Sequence, residues 1–292
     1  MINKIFFIGI LCLLIFLVTY KIREGFSIQT NKKIAFCFLI YDKINHEDLW
    51  HKFFKNIDKN KYNIYIHYKN NTPLKHFEKH KVSEIVDTKW CRDSLVKAQN
   101  ILLKEAVKDK ENQHFIFVSN SCIPVKTFNN IYSKLNENFS YFNLAIPFTE
   151  KFNDMKAYKA SQWCILNRKH TKQILENEEK LNDIFNPFKQ KKKKFIRGCP
   201  DEYAYITLLY YLKHDKELIT TNYMSADATT FTAWNEMTNF KDFKKSNKKG
   251  EPNNYSNICE EELDHIINSK SFFARKFDKN CKGLDKVYDL YK

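Results

Sequence analysis

The chain has 292 residues, of which 43% are hydrophobic and 15% aromatic, so it can bury a sizeable core and is neither a disordered nor a collagen-like polymer. Its formal charge of +15 is compatible with nucleic acid, an anionic membrane or a phosphate-bearing ligand. Basic residues are spread along the whole chain, and the one dense run, KQKKKKF from Lys189 to Phe195, reads first as a solvated loop.

The segment Ile5 to Tyr20 carries no charge over sixteen residues. At about 1.5 Å per residue it falls slightly short of a ~30 Å hydrocarbon core. Lys4, Lys21 and Arg23 can snorkel and make up the difference. A cleaved signal peptide wants small residues at the end of its apolar run, and Val18-Thr19-Tyr20 is a poor site. The expectation is an uncleaved transmembrane signal anchor over 5–20, with a short cytosolic tail at 1–4 and a stem at 21–32. Charges flank both ends, so they do not set its orientation.

Lys33 to Tyr41, KIAFCFLIY, is an apolar run of strand length, as in a strand buried on both faces. HEDLWHKFFKNI follows with Leu49, Phe53 and Phe54 near helical spacing. Tyr62 to Tyr68 reads as a second strand and Ser83 to Thr88 as a short third. DSLVKAQNILLKEAVK places Leu95, Ala98, Leu102 and Ala106 on one helical face, with Asp93 or Ser94 as its cap. His114 to Val125 reads as a fourth strand running into a loop. This alternation predicts an α/β domain with a mostly parallel central sheet. Ligands of such sheets sit beyond the carboxyl ends of the strands, which puts His67 to Lys69 and Ser119 to Cys122 beside a pocket. KASQWCILNRKHTKQIL reads as a strand entering a helix. No repeat and no linker interrupts 33–292, so a single domain is expected there.

CPDEYAYITLLYYL, residues 199 to 212, combines Pro200 with two adjacent acids ahead of an apolar helix. Proline in the first turn with Asp201 and Glu202 beside it is ordinary helix-start chemistry. The same position keeps a carboxylate ionised, as a general base must be. Both readings stand on the sequence alone. Arg275 and Lys276 in FFARKF are either cations snorkelling over Phe272 and Phe277 or fixed counter-charges for a phosphate. Trp163 in SQWCIL reads as core. Trp234 in FTAWNEM reads equally as core or as a face on which a sugar stacks. His67 reads as a strand residue with a satisfied ring.

The chain has no Asp-x-Asp; the acidic spacing Glu262-Leu263-Asp264 reads as surface. It also lacks G-x-G-x-x-G, a Walker loop, H-E-x-x-H and G-x-S-x-G. No recognisable nucleic-acid module accompanies the basic stretches. The eight cysteines form no C-x-x-C pair, so no zinc site is expected. Cys12 lies in the apolar segment, and the other seven fit a few disulfides plus one free thiol in a lumenal domain or, equally, a reduced interior. Asn70, Asn138 and Asn254 each head an N-x-[ST] pattern.

Taken in order, YNIYIHYK, TKWCRDSLVKAQNILLKEAV, HFIFVSNSCIPVKTFNNIYSKL, YKASQWCILNRKH, CPDEYAYITLL and SFFARKFD resemble the core-2/I-branching β-1,6-N-acetylglucosaminyltransferase family, especially its plant-type branch. The resemblance covers roughly residues 33 to 280. It implies a GT-A type fold behind a type II membrane anchor, facing the lumen of the Golgi or endoplasmic reticulum. It implies inverting, metal-independent transfer of a sugar, N-acetylglucosamine in the namesake enzymes, from a UDP-sugar to a hydroxyl of a glycan or glycoprotein. On this resemblance Glu202 is the general base, Lys276 binds the donor diphosphate with Arg275 beside it, and Trp234 stacks on the acceptor. His67, Lys69, Ser119 and Ser121 would line the nucleotide site. No metal or other cofactor and no nucleic-acid partner is expected. Two departures stand out: Lys69 occupies the place of the family's nucleotide-recognising Asp, and Asn253 lies near the place of a second diphosphate-contacting Arg. A peptide O-xylosyltransferase-like activity belongs to the same family. A non-catalytic glycan-binding protein of the same fold is the alternative from another class.

Overall fold

The computed structural model describes residues 32–152, 155–189, 198–234 and 252–292. Lys32–Lys292 form one compact unit. The expected anchor at 5–20, its tail, its stem up to residue 31, and all of the basic run beyond Lys189 lie outside the described residues. No helix among the described residues is long and apolar enough to cross a membrane.

The chain opens with β1 (Lys33–Ile40), α1 (Glu47–Lys55) and β2 (Tyr62–Tyr68), followed by α2 (Ser94–Ala106) and β3 (Asn112–Ser119). The short β4 (Ile123–Pro124) and α3 (Phe128–Lys134) precede β5 (Ser140–Phe152), β6 (Met155–Ala160) and β7 (Ile165–Asn167). Helices α4 (Arg168–Glu176), α5 (Glu178–Lys189) and α6 (Ala204–Tyr211) come next, then β8 (Leu218–Asn222) and β9 (Thr230–Thr232). The C-terminal part holds β10 (Tyr255–Asn257), α7 (Glu260–Asn268), β11 (Phe273–Arg275), β12 (Phe277–Lys282) and α8 (Asp285–Asp289).

The main sheet runs β2-β1-β3-β7-β5-β6, with β8 beside β5. Pairs β1–β2, β1–β3 and β5–β8 are parallel, whereas β3–β7, β5–β7 and β5–β6 are antiparallel. The sheet is therefore mixed rather than mostly parallel. A parallel return needs a crossover, usually a helix; between β5 and β7 lies only β6. Ser83 to Thr88 is not a strand. Its approach makes a single bridge, Lys81 to Ile66, and the Val86 amide then donates to His67 Nε2 at 3.0 Å. A side chain captures the amide instead of a neighbouring strand. The fourth strand also breaks at Ser119, and β4 joins a separate sheet, β4-β11-β9.

β1 shows how the core divides. Ala35, Cys37 and Leu39 face a cluster built with α2, α4, α5 and α6, while Ile34, Phe36, Phe38 and Ile40 face one built with α1 and α3. Successive side chains on a strand point to opposite faces, so both faces are apolar because helices cover both. On α1, Trp50 stacks against Phe273 and donates its indole N–H to the Cys122 carbonyl at 3.0 Å. A third cluster lies under β9, β11, α7 and α8 and includes Phe231, Tyr255, Leu263 and Phe277. Glu262 is buried in that region and hydrogen-bonded by the Tyr255 hydroxyl, so it is not the surface residue its spacing suggested.

Candidate active site

Pro200–Glu202 form a 3-10 turn that leads through Tyr203 into α6. Glu202 Oε2 accepts the Cys199 amide at 2.8 Å, the reach of a third-position acid back to the helix cap. The same oxygen lies 3.6 Å from Lys159 Nζ at the end of β6, and the Glu202 side chain keeps a quarter of its surface exposed. The helix-start contact and the approach to Lys159 are one arrangement here. A disulfide joins Cys199 to Cys91 across 108 positions, tying the segment before α2 to the Glu202 turn. The other described cysteines, Cys37, Cys122, Cys164, Cys259 and Cys281, are free thiols.

A cleft of about 730 Å³ opens at this turn, within the roughly 300–1,000 Å³ usual for small-molecule sites. Asp201, Glu202 and Lys159 line it, together with Arg275, Lys276 and Trp234. β11 delivers Arg275, which pairs in register with Thr232 on β9, and β9 runs on to Trp234. The Arg275 guanidinium sits 5.0 Å over the Trp163 ring, a cation–π contact in a desolvated setting. Burial lowers the Arg275 pKa, while Cys122, Glu202 and Asp201 oppose that shift. Trp163 is both core, as expected, and cleft wall: 5% exposed, it shields the guanidinium from one side.

Asp201 is 7% exposed, and its Oδ1 has no hydrogen-bond partner among the described residues. Burial pushes its carboxyl up to about 7, and the Glu202 charge adds to the push, whereas Lys159 and Arg275 oppose it. Asp201 and Glu202 are thus adjacent in sequence but differ in surroundings. Trp234 meets Tyr223 edge-to-face at 5.2 Å, and its indole N–H likewise has no partner among the described residues.

Of the residues expected at the site, Glu202, Arg275, Lys276 and Trp234 share the cleft; His67, Lys69, Ser119 and Ser121 do not line it. His67 is fully buried, accepts the Val86 amide, and is held at a pKa of about 4 by burial. Its Nδ1 has no partner among the described residues, so the ring is satisfied on one side only. Lys69 donates to the Thr88 carbonyl at 2.9 Å and lies 3.6 Å from Asp87. The Ser119 and Ser121 hydroxyls lie 3.2 Å apart, both buried, and the Ser121 carbonyl accepts the Phe277 amide at 3.0 Å. They back the Arg275–Lys276 strand end rather than the cleft. Asn253, 4% exposed, bonds through its backbone to Ala233 and Lys276.

Sequence reasoning missed Lys159 and Trp90. Lys159 carries no local signal, being one lysine among many. Trp90 is 87% exposed on the cleft rim; its place next to Cys91 was the available hint, since a disulfide can hold an aromatic out in water.

A carboxylate and fixed cations around one sugar-sized cleft suit an enzyme that acts on a charged, polar substrate. The model of the core-2/I-branching enzyme family matches residues 34–145 and 138–267, and the chain belongs to that family of glycosyltransferases. Glycosyltransferase BC10 of Oryza sativa subsp. japonica is 28% identical over 177 residues, which are 53% of this chain and 43% of that protein. The match thus spans less than half the length of that relative. Among solved structures, a glycosyltransferase involved in glycosylation of the major capsid of PBCV-1 is similar at 9% identity and a TM-score of 0.40, covering 88% of this chain and 98% of that one. The glycosyltransferase GlyE of Streptococcus pneumoniae TIGR4 reaches 14% identity and a TM-score of 0.36, covering 65% and 45%. Likeness at those scores carries no argument about activity.

Proposed function

We propose that the chain transfers a sugar, N-acetylglucosamine by family analogy, from a UDP-sugar to a hydroxyl of a glycan acceptor in a single displacement. The Glu202 carboxylate takes the proton of the acceptor hydroxyl. The acceptor oxygen attacks the anomeric carbon, and the bond from that carbon to the diphosphate oxygen breaks, its electron pair leaving with UDP. Lys276 and Arg275 stabilise the charge that develops on the diphosphate. One displacement without an enzyme nucleophile inverts the anomeric centre.

The observation that carries this reading is that Glu202 and the Arg275–Lys276 pair line the same cleft. Fixed cations in the cleft, with no Asp-x-Asp in the chain, favour transfer without a divalent metal. Trp234 and the exposed Trp90 offer apolar faces for an acceptor ring. The Cys91–Cys199 disulfide and the exposed Asn70, Asn138 and Asn254 suit a domain on the lumenal side of the secretory pathway, held there by the apolar segment 5–20.

The deciding experiment is Glu202→Gln. General-base help is worth about 10²–10⁴-fold, so transfer should fall by that factor while UDP binding and the melting temperature persist. Transfer at the parental rate would remove Glu202 as the base. Activity surviving EDTA supports reliance on Lys276 and Arg275; activity that requires added divalent metal contradicts it.

A further inference from the structure

Away from the cleft, two imidazoles and a carboxylate converge. His170 lies in the first turn of α4, His214 follows the end of α6, and Glu217 closes the 3-10 turn Asp215–Glu217 that leads into β8. His170 Nε2 is 3.0 Å from Glu217 Oε2, and His214 Nδ1 is 3.5 Å from the same oxygen. The three ligand-capable atoms lie within 4.8 Å of one another. A tetrahedral zinc ion with bonds of about 2.0–2.2 Å sets its ligand atoms roughly 3.4 Å apart, so small side-chain shifts would close the three around one ion.

The surroundings favour a ligand role. His170 is fully buried, and its other ring nitrogen lies 2.7 Å from Ser140 Oγ, which also accepts the Asn167 amide at 2.9 Å. A ring held from behind, with its second nitrogen turned towards a carboxylate, matches the outer-shell support of metal-bound imidazoles. Two imidazoles and one carboxylate form a donor set suited to zinc rather than to the oxygen-seeking calcium or magnesium. Lys169 Nζ bonds both Glu217 oxygens, at 2.6 and 2.8 Å. Its side chain is 56% exposed, so an arriving cation can displace it into water.

The geometry points to a zinc site formed by His170, His214 and Glu217, with water as the fourth ligand, joining α4, the end of α6 and the start of β8. None of the three lines the cleft. The eight residues of α6, at about 1.5 Å each, put roughly 12 Å between the Glu202 turn and His214. The site therefore bears on stability and not on the leaving diphosphate, and it stands whether or not Glu202 is the base.

Zinc chloride titrated calorimetrically into the metal-stripped full-length protein in neutral detergent tests this. One equivalent should bind and raise the melting temperature. Loss of His170 would confound binding with folding, so His214→Ala and Glu217→Gln are the variants to use. Each should weaken zinc by at least about 10-fold while keeping the metal-free melting temperature near that of the parent. Cobalt(II) should give visible d–d bands without a near-ultraviolet thiolate band. Absence of saturable zinc binding, equal binding in both variants, or a thiolate band would each overturn the site, leaving an ion-pair cluster or a metal held by cysteines.

Discussion

A Cβ placed on Gly198 would lie 2.4 Å from Glu202 Oε2 and 2.8 Å from Lys159 Cε. The hydrogen at position 198 is what lets the carboxylate and the ammonium meet at 3.6 Å. Gly198 also has φ +113°, a backbone state that side chains rarely adopt.

Gly198→Ala should therefore act twice. The strained backbone destabilises the fold by at least about 1 kcal/mol, read as a lower melting temperature. The displaced Glu202 carboxylate lowers kcat, since misplacement by about 1 Å can cost on the order of 10²-fold. Parental kcat in a folded Gly198→Ala protein would mean that Glu202 needs no such placement.

The Cys91–Cys199 disulfide closes a loop of 108 positions. A loop of that length is worth about 4–5 kcal/mol in the chain-entropy account. Cys91→Ser and Cys199→Ser should each lower the melting temperature substantially, and dithiothreitol should do the same to the parent but add nothing to either variant. An unchanged parental melting curve under reductant, with the thiols shown to be free by alkylation, would count against this stabilisation.

Asp201 gives a pH signature. Its folded-state pKa of about 7 stands above the unfolded value of about 3.9, so the folded protein holds the proton more tightly. The stability this contributes is complete below about pH 4 and is lost as pH rises to 7, a change on the order of 4 kcal/mol. Asp201→Asn removes the ionisation. It should raise the melting temperature relative to the parent more at pH 8 than at pH 5, and an equal difference at both would refute a protonated Asp201 in the fold.

Arg275 is stacked on Trp163 and buried. Lysine lacks the planar fork and the stacking face. Arg275→Lys should weaken UDP binding by roughly 1.5–3 kcal/mol, the scale of a charge-assisted hydrogen bond, measured by calorimetry. An unaltered Kd would place Arg275 outside the donor site and leave the diphosphate to Lys276.

Local pattern was sufficient for the elements it encodes. The apolar run of β1, the 3.6-residue stripe of α2 and the Pro-Asp-Glu start before α6 are set by neighbours within a few positions, so periodicity and cap chemistry expose them. The order of the six blocks pointed to the family for the same reason: each block keeps its own local signature. Strand direction was a different matter. Nothing within β7 specifies that it pairs antiparallel with β3, because that depends on where the chain returns.

The cleft depended entirely on such returns. Glu202 meets Lys159 at the far end of β6, and the same turn is bonded to Cys91. Arg275 reaches the cleft because β11 pairs with β9 and β4. His67, placed by strand topology near a pocket, is instead sealed behind the Val86 segment. Sequence by itself determined the elements with a strong local pattern, such as β1, β2 and α2, and which acids begin the turn before α6, since those choices rest on neighbouring residues, whereas the expected strand at Ser83 to Thr88 was lost to a tertiary contact with His67. Only the packed tertiary structure decided which charges share a cavity and which buried carboxyl keeps its proton, because Coulomb and desolvation energies depend on distance and burial in space.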